Sequence, residues 1–142
     1  MKKLFTVLFF TLLPLLSTSA QTAQQLNVTN LMVMYRPGRA LPDGTKEGNS
    51  LEVSVSLQNV FLASRLKITV MQKSTNEILE VKTINFSEKD GIVFYTSHRY
   101  SQPIKGISVS DEVSIGTLTQ ADVVVEVYAV DKQNKVTQKL KQ

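Results

Sequence analysis

The stretch Leu51-Glu52-Val53-Ser54-Val55-Ser56-Leu57-Gln58 puts an apolar residue at every odd position and a polar one at every even position. Successive side chains of an extended chain point to opposite faces, so Leu51, Val53, Val55 and Leu57 share one buried face; a helix would scatter them around its axis. The same period recurs in Leu66, Ile68 and Val70, with Lys67 and Thr69 opposite, and in Val123, Val125, Val127 and Ala129. Between these runs, Ser74-Thr75-Asn76-Glu77 reads as a turn, Ile78 to Phe86 as the returning strand, and Glu88-Lys89-Asp90-Gly91 as the next break. Ile92 to Tyr100 reads as one further extended run, stopped near Pro103 and Gly106. Ile107 to Ile115 continues the β pattern, with an irregularity expected at Asp111-Glu112.

Toward the N-terminus the apolar parity switches from Leu26 and Val28 to Leu31, Val33 and Tyr35, which predicts a bulge around Thr29-Asn30. Toward the C-terminus, Asp131-Lys132-Gln133-Asn134-Lys135 predicts a hairpin turn into Val136, Gln138 and Leu140. Val60 to Leu66 has room for no more than a short helical turn. About seven strands, with turns every eight to twelve residues, predict an all-β antiparallel sandwich. The one long polar loop is Arg36 to Gly48, RPGRALPDGTKEG, whose prolines and glycines argue against a regular element.

The first 20 residues belong to a different pattern. Lys2 and Lys3 precede an apolar run from Leu4 to Leu16, and Ser17-Thr18-Ser19-Ala20 supplies small residues before Gln21. This is the layout of a secretory signal peptide cleaved after Ala20, leaving residues 21–142 as a single domain in the periplasm or outside the cell. The apolar run is shorter than the roughly 20 residues of a membrane span, and no second one follows, so no span is expected after cleavage. The chain has no cysteine, which excludes disulfides, thiolate metal sites, cysteine nucleophiles and a lipid anchor on cysteine. Lys2 and Lys3 leave with the leader and take with them two of the net +4 charges, so no electrostatic footprint for nucleic acid remains. Lys132, Lys135, Lys139 and Lys141 read as solubilising, edge-protecting lysines.

Leu118-Thr119-Gln120-Ala121-Asp122-Val123-Val124-Val125-Glu126-Val127-Tyr128-Ala129-Val130-Asp131, with the polar hairpin after it, resembles the corner and last hairpin of immunoglobulin-like and fibronectin type III-like sandwiches. There a leucine leads into a corner, and an alternating strand ends in alanine before a polar turn; Val125, Val127 and Ala129 match the inward positions. The corner tyrosine and early tryptophan of the fibronectin pattern have no counterpart here. The resemblance implies an immunoglobulin-like sandwich and no particular ligand.

Candidate chemistry is sparse. His98 is the single histidine and lacks a nucleophile-elbow sequence, so no catalytic residue is assigned; a hydrolase centred on it is the outlying reading. No metal or cofactor site is expected: Asp43, Glu47, Glu88, Asp90, Asp111 and Glu112 read as turn carboxylates without the spacing of a calcium loop. Asn27-Val28-Thr29 and Asn85-Phe86-Ser87 fit the glycosylation acceptor pattern. Two binding surfaces remain. Val124, Tyr128 and Val130 alternate with the core set on one strand and form a candidate partner face. Tyr95, His98 and Tyr100, with Arg36 and Arg39 of the long loop, form a candidate ligand surface. The expected function is a non-catalytic binding or structural module meeting another envelope protein, with strand addition at a sheet edge as one mode; the alternative is a carbohydrate-binding module using the 36–48 loop and nearby tyrosines.

Overall fold

The computed structural model describes residues 24–98 and 100–142, so the expected leader and its cleavage site lie outside the described residues. Nine strands follow in order: β1 (Asn27–Arg36), β2 (Asn49–Gln58), β3 (Ala63–Gln72), β4 (Ile78–Lys89), β5 (Ile92–Thr96), β6 (Ser101–Pro103), β7 (Ser108–Gly116), β8 (Val123–Asp131) and β9 (Leu140–Lys141). They form two antiparallel sheets, one of order β1-β2-β7 and one of order β6-β5-β4-β3-β8-β9. Single 3-10 turns at Val60–Leu62 and Gln120–Asp122 are the only helical elements among the described residues, and no helix there is long and apolar enough to cross a membrane.

The alternating stretches make the core. Leu51, Val53, Val55 and Leu57 of β2 are at most 1% exposed, and they face Leu66, Ile68 and Val70 of β3 and Val125, Val127 and Ala129 of β8. Polar partners along each strand stay on the outer faces, the arrangement that two packed sheets require. The bulge falls where parity predicts: Val28 pairs with Leu57 and Asn30 with Ser56, leaving Thr29 as the extra residue, its hydroxyl donating to the Ser56 carbonyl at 3.2 Å. Asp90 and Gly91 turn β4 into β5 with φ of 53° and 74°, the twin positive φ values that let a two-residue turn follow strand twist.

Three expectations need correction. There are nine strands rather than about seven, because short β6 and β9 extend the larger sheet. The run Ile92 to Tyr100 is not one strand: β5 ends at Thr96, the Ser97 N–H bonds the Tyr100 carbonyl at 3.0 Å, and β6 returns beside β5. Asp111 and Glu112 lie in the unbroken middle of β7; the register slips instead near its end, where Ser50 and Asn49 pair with Ser114 and Gly116. The 36–48 segment holds no helix or strand beyond the end of β1, as expected of a loop, and doubles back through a bridge between Ala40 and Lys46 and a bond from the Leu41 N–H to the Thr45 carbonyl at 2.8 Å. Gly38 permits that path, since a Cβ there would lie 1.9 Å from the Glu47 carbonyl oxygen.

Candidate functional site

Side chains of the expected ligand surface meet at the open flank between β5, β6 and β7. Tyr95 is buried and meets Tyr100 in a T-shaped contact, ring centroids 5.7 Å apart and planes at 86°, a favourable quadrupolar arrangement. Its hydroxyl accepts a hydrogen bond from the Gln102 amide. The Tyr100 hydroxyl donates to the Ser110 carbonyl at 2.6 Å, and burial, with Tyr95 and Asp111 nearby, pushes its ionisation up to about 12. Beside it Asp111 is 4% exposed: one carboxylate oxygen accepts from the Glu112 N–H at 2.9 Å, and the other has no hydrogen bond. His98 Nδ1 lies 4.0 Å from that second oxygen, and the Lys82 ammonium lies 3.5 Å from both ring nitrogens.

Arg36 reaches the same cleft from the end of β1. Its Nε is 3.0 Å from a Glu52 carboxylate oxygen, and that bond raises the guanidinium further above its ordinary value. The cleft, about 280 Å³, is lined by Arg36, Glu52, Tyr100, Ser110, Asp111 and Glu112. Arg39 stands in an adjoining cleft of about 900 Å³ that shares Arg36 and Glu112 and runs under the 36–48 loop. Both open on the outer face of the small sheet, where Ser50 faces Ser114, Ser54 faces Ser110 and Ser56 faces Ser108. Glu52 faces Glu112 there, a like-charge pair that costs stability. The Arg36 guanidinium on Glu52 and the Ser50 hydroxyl on Glu112, at 2.6 Å, offset it.

The structure thus gathers Tyr95, His98, Tyr100 and Arg36, with Arg39 next door, and leaves Val124, Tyr128 and Val130 on the far sheet. Val130 is 3% exposed, not available to a partner, because the 131–137 hairpin folds over it and Val136 bridges to it. Val124 and Tyr128 are half-buried; Val124 faces Met71 across the strands, and the Lys139 ammonium lies 5.3 Å above the Tyr128 ring. The four tyrosines share no platform: Tyr95 is buried, Tyr128 is covered, Tyr35 packs against the core and lines the larger cleft, and Tyr100 borders the smaller one. Asp111 is the residue that sequence reasoning misplaced. It sits at the inward parity of Val109, Val113 and Ile115, and that parity was the available signal.

The four sheet edges differ in how they are finished. β6 is three residues long and ends in Pro103. Beside β9, Lys139 and Lys141 hold Glu126 at 2.8 and 3.0 Å, with its carboxyl below the usual range. On β7 the Leu57–Ile107 bond, 2.8 Å, shows that odd-numbered residues face β2 and even-numbered ones face outward. Two of those outward groups are capped by side chains, the Ser110 carbonyl by Tyr100 and the Glu112 N–H by Asp111. The same alternation through β2 makes Met32, Met34 and Arg36 the residues bonded to it, so the N–H and C=O of Leu31, Val33 and Tyr35 point away. Among the described residues those groups have no hydrogen-bond partner, and Met32 and Met34 beside them are each 52% exposed.

In comparisons with protein families, curated proteins and solved structures, no match to this chain is found.

Proposed function

We propose that this chain is an exported, non-catalytic protein-binding module of immunoglobulin-like type, acting at the cell envelope by pairing an extended segment onto β1. The observation that carries the reading is the stretch of β1 from Leu31 to Tyr35, whose outward backbone groups are uncapped, in a molecule whose other edges are short, lysine-flanked or partly capped. Long open edges invite strand addition, and natural sheets usually block them. The immunoglobulin-like reading draws on the strand order: β1-β2-β7 facing β4-β3-β8-β9 follows the A-B-E and C′-C-F-G order of that fold, with Leu118 leading into the corner before β8. Export rests on the leader, Met1 to Ala20.

The test is a photoreactive phenylalanine analogue placed at Met32 and, separately, at Ser110, in cells that make the full chain. A covalent adduct of discrete mass from position 32 and none from position 110 supports the reading. Equal yields, or none, overturn it. The carbohydrate reading keeps one favourable observation, the cleft of about 900 Å³ between Arg36, Arg39, Glu47 and Glu112. A glycan array carrying the purified chain decides it: signal lost on Arg39→Ala supports it, and background binding removes it.

A further inference from the structure

We infer that the occupant of the β1 edge is the β1 edge of a second copy of this chain, running antiparallel about a two-fold axis at Val33. This deepens the reading of β1 as a strand-pairing edge and rests on it. The outward-pointing backbone groups belong to Leu31, Val33 and Tyr35, spaced evenly about Val33. An antiparallel copy centred there sets Val33 opposite Val33 and Leu31 opposite Tyr35, so every outward N–H meets an outward C=O. On the outer face the same register sets Met32 opposite Met34, bringing four methionines, now 52% exposed, side by side.

Charge and closure favour a second copy over a foreign segment. Asn27 to Tyr35 carries no charge, and Arg36, the first one, falls opposite Asn30 of the other copy, so self-pairing opposes no like charges. A β1 edge docking on β7 would propagate without closing, and two outward groups it would need in the middle of β7, the Ser110 carbonyl and the Glu112 N–H, are already held by Tyr100 and Asp111. The long open edge is left with its own kind, and a two-fold pairing closes after two copies. The incoming strand would also border an opening of about 490 Å³ at the seam between the sheets, lined by Val33, Leu51 and Val125 together with Lys73, Gln120 and Gln142. Seven paired residues a side bury an area near or below the ~1,200 Å² floor of stable complexes, which sets the dimer in the micromolar range rather than the nanomolar.

Sedimentation velocity of the purified chain, over roughly three decades of concentration around the micromolar, reads the outcome. The expected result is a monomer that becomes a dimer and nothing larger. Met32→Lys with Met34→Lys places lysine opposite lysine on both outer rungs and weakens the dimer about tenfold or more. Met32→Glu with Met34→Lys places glutamate opposite lysine in this register, sets that lysine across from Glu52 of its own chain, and keeps the dimer within about threefold of the wild type. Both variants change exposed outer positions, and unchanged circular dichroism melts confirm that each folds. A wild-type chain that stays monomeric throughout, or a double-lysine variant that dimerises like wild type, overturns the inference. The photoreactive analogue at Met32 then separates the two ideas. An adduct with a foreign protein from a monomeric chain overturns self-pairing and leaves the β1 edge as a protein-binding edge. No adduct at all overturns both.

Discussion

β1 and β7 flank the same central strand, have nearly the same length, and end in opposite states. Each offers a row of backbone groups on its outer side. On β7 the chain that follows β5 reaches back: Tyr100 donates to the Ser110 carbonyl, and Asp111 folds its own carboxylate onto the Glu112 N–H. On β1 nothing among the described residues does this for Leu31, Val33 or Tyr35. The inward residues record the difference. Val109, Asp111, Val113 and Ile115 of β7 are no more than 4% exposed, while Leu31, Val33 and Tyr35 are only half-buried. A capped edge is also a packed edge, because the groups that satisfy its backbone cover its side chains.

The sharpest way to break the contrast is to uncap β7. Tyr100→Ala removes the bond to Ser110 and the ring seated against Tyr95, and costs about 2 kcal/mol, roughly half from each. Denaturant unfolding measures it, and light scattering should show growing aggregates, since an opened β7 lets β1 edges dock end to end. Tyr100→Phe keeps the ring and loses about 1 kcal/mol. The raised ionisation gives an independent check with a definite sign. Because the phenol is held neutral in the folded chain, its contribution is complete below the ordinary tyrosine range near 10 and is lost as pH rises through about 12, which phenolate absorbance follows.

Asp111→Ala comes next, at about 1 kcal/mol. It strands the Glu112 N–H but also removes a buried carboxylate oxygen that has no hydrogen bond, so two terms oppose. Asp111→Asn keeps the acceptor and should cost less. If Asp111→Ala leaves hydrogen exchange at the Glu112 amide unchanged, the carboxylate is not a cap and the contrast with β1 rests on Tyr100 alone.

These cap residues also mark where the sequence stopped being readable. Alternation made β2, β3 and β8 legible, since one buried face writes itself at every second position, and the parity switch at Thr29 revealed the bulge in β1. Ile92 to Tyr100 defeated the same rule. The sequence there has no glycine or proline, so period two runs on through the reversal that the Ser97 N–H closes on the Tyr100 carbonyl. Asp111 looked like a break because charged residues usually end strands; its bond to the next N–H lets it stay inside one. Val130 carries an outward parity, and only the fold of the following hairpin, tied by the Asp131 carboxylate to the N–H groups of Gln133 and Lys135, buries it. Of the candidate site, the approach of Tyr100 to Arg36 spans two sheets, and no local pattern encodes it.

The β9 edge lies between the two extremes and predicts a smaller effect. Glu126→Gln loosens Lys139 and Lys141 and costs about 0.5 kcal/mol, the scale of exposed ion pairs. Since Glu126 has its carboxyl lowered in the fold by the two lysine bonds, its contribution is present above the ordinary carboxylate range near 4.3 and fades as pH falls through the depressed value. Wild type should therefore lose more stability than Glu126→Gln on acidification, with faster hydrogen exchange at Val125 and Gln142, whose amides join β8 to the last residues.

The smallest expected effect is the most informative about β1. Met32→Lys puts a charge on an outer position that, with Met34, is half exposed, beside backbone groups that nothing in the monomer uses. Measured at concentrations where the chain is monomeric, its unfolding free energy should move by less than about 0.5 kcal/mol, as for other exposed substitutions. Asn27 to Tyr35 offers the new lysine no charged neighbour along the strand, and the nearest charge across it, Glu52 opposite Met34, is already held by Arg36. A loss of 1 kcal/mol or more would mean that the methionine already packs on something within its own chain, and that the open edge is finished from inside. A neutral result makes the asymmetry physical: removing a guard from β7 costs stability, adding one to β1 costs none, and the monomer therefore has no internal use for leaving β1 bare.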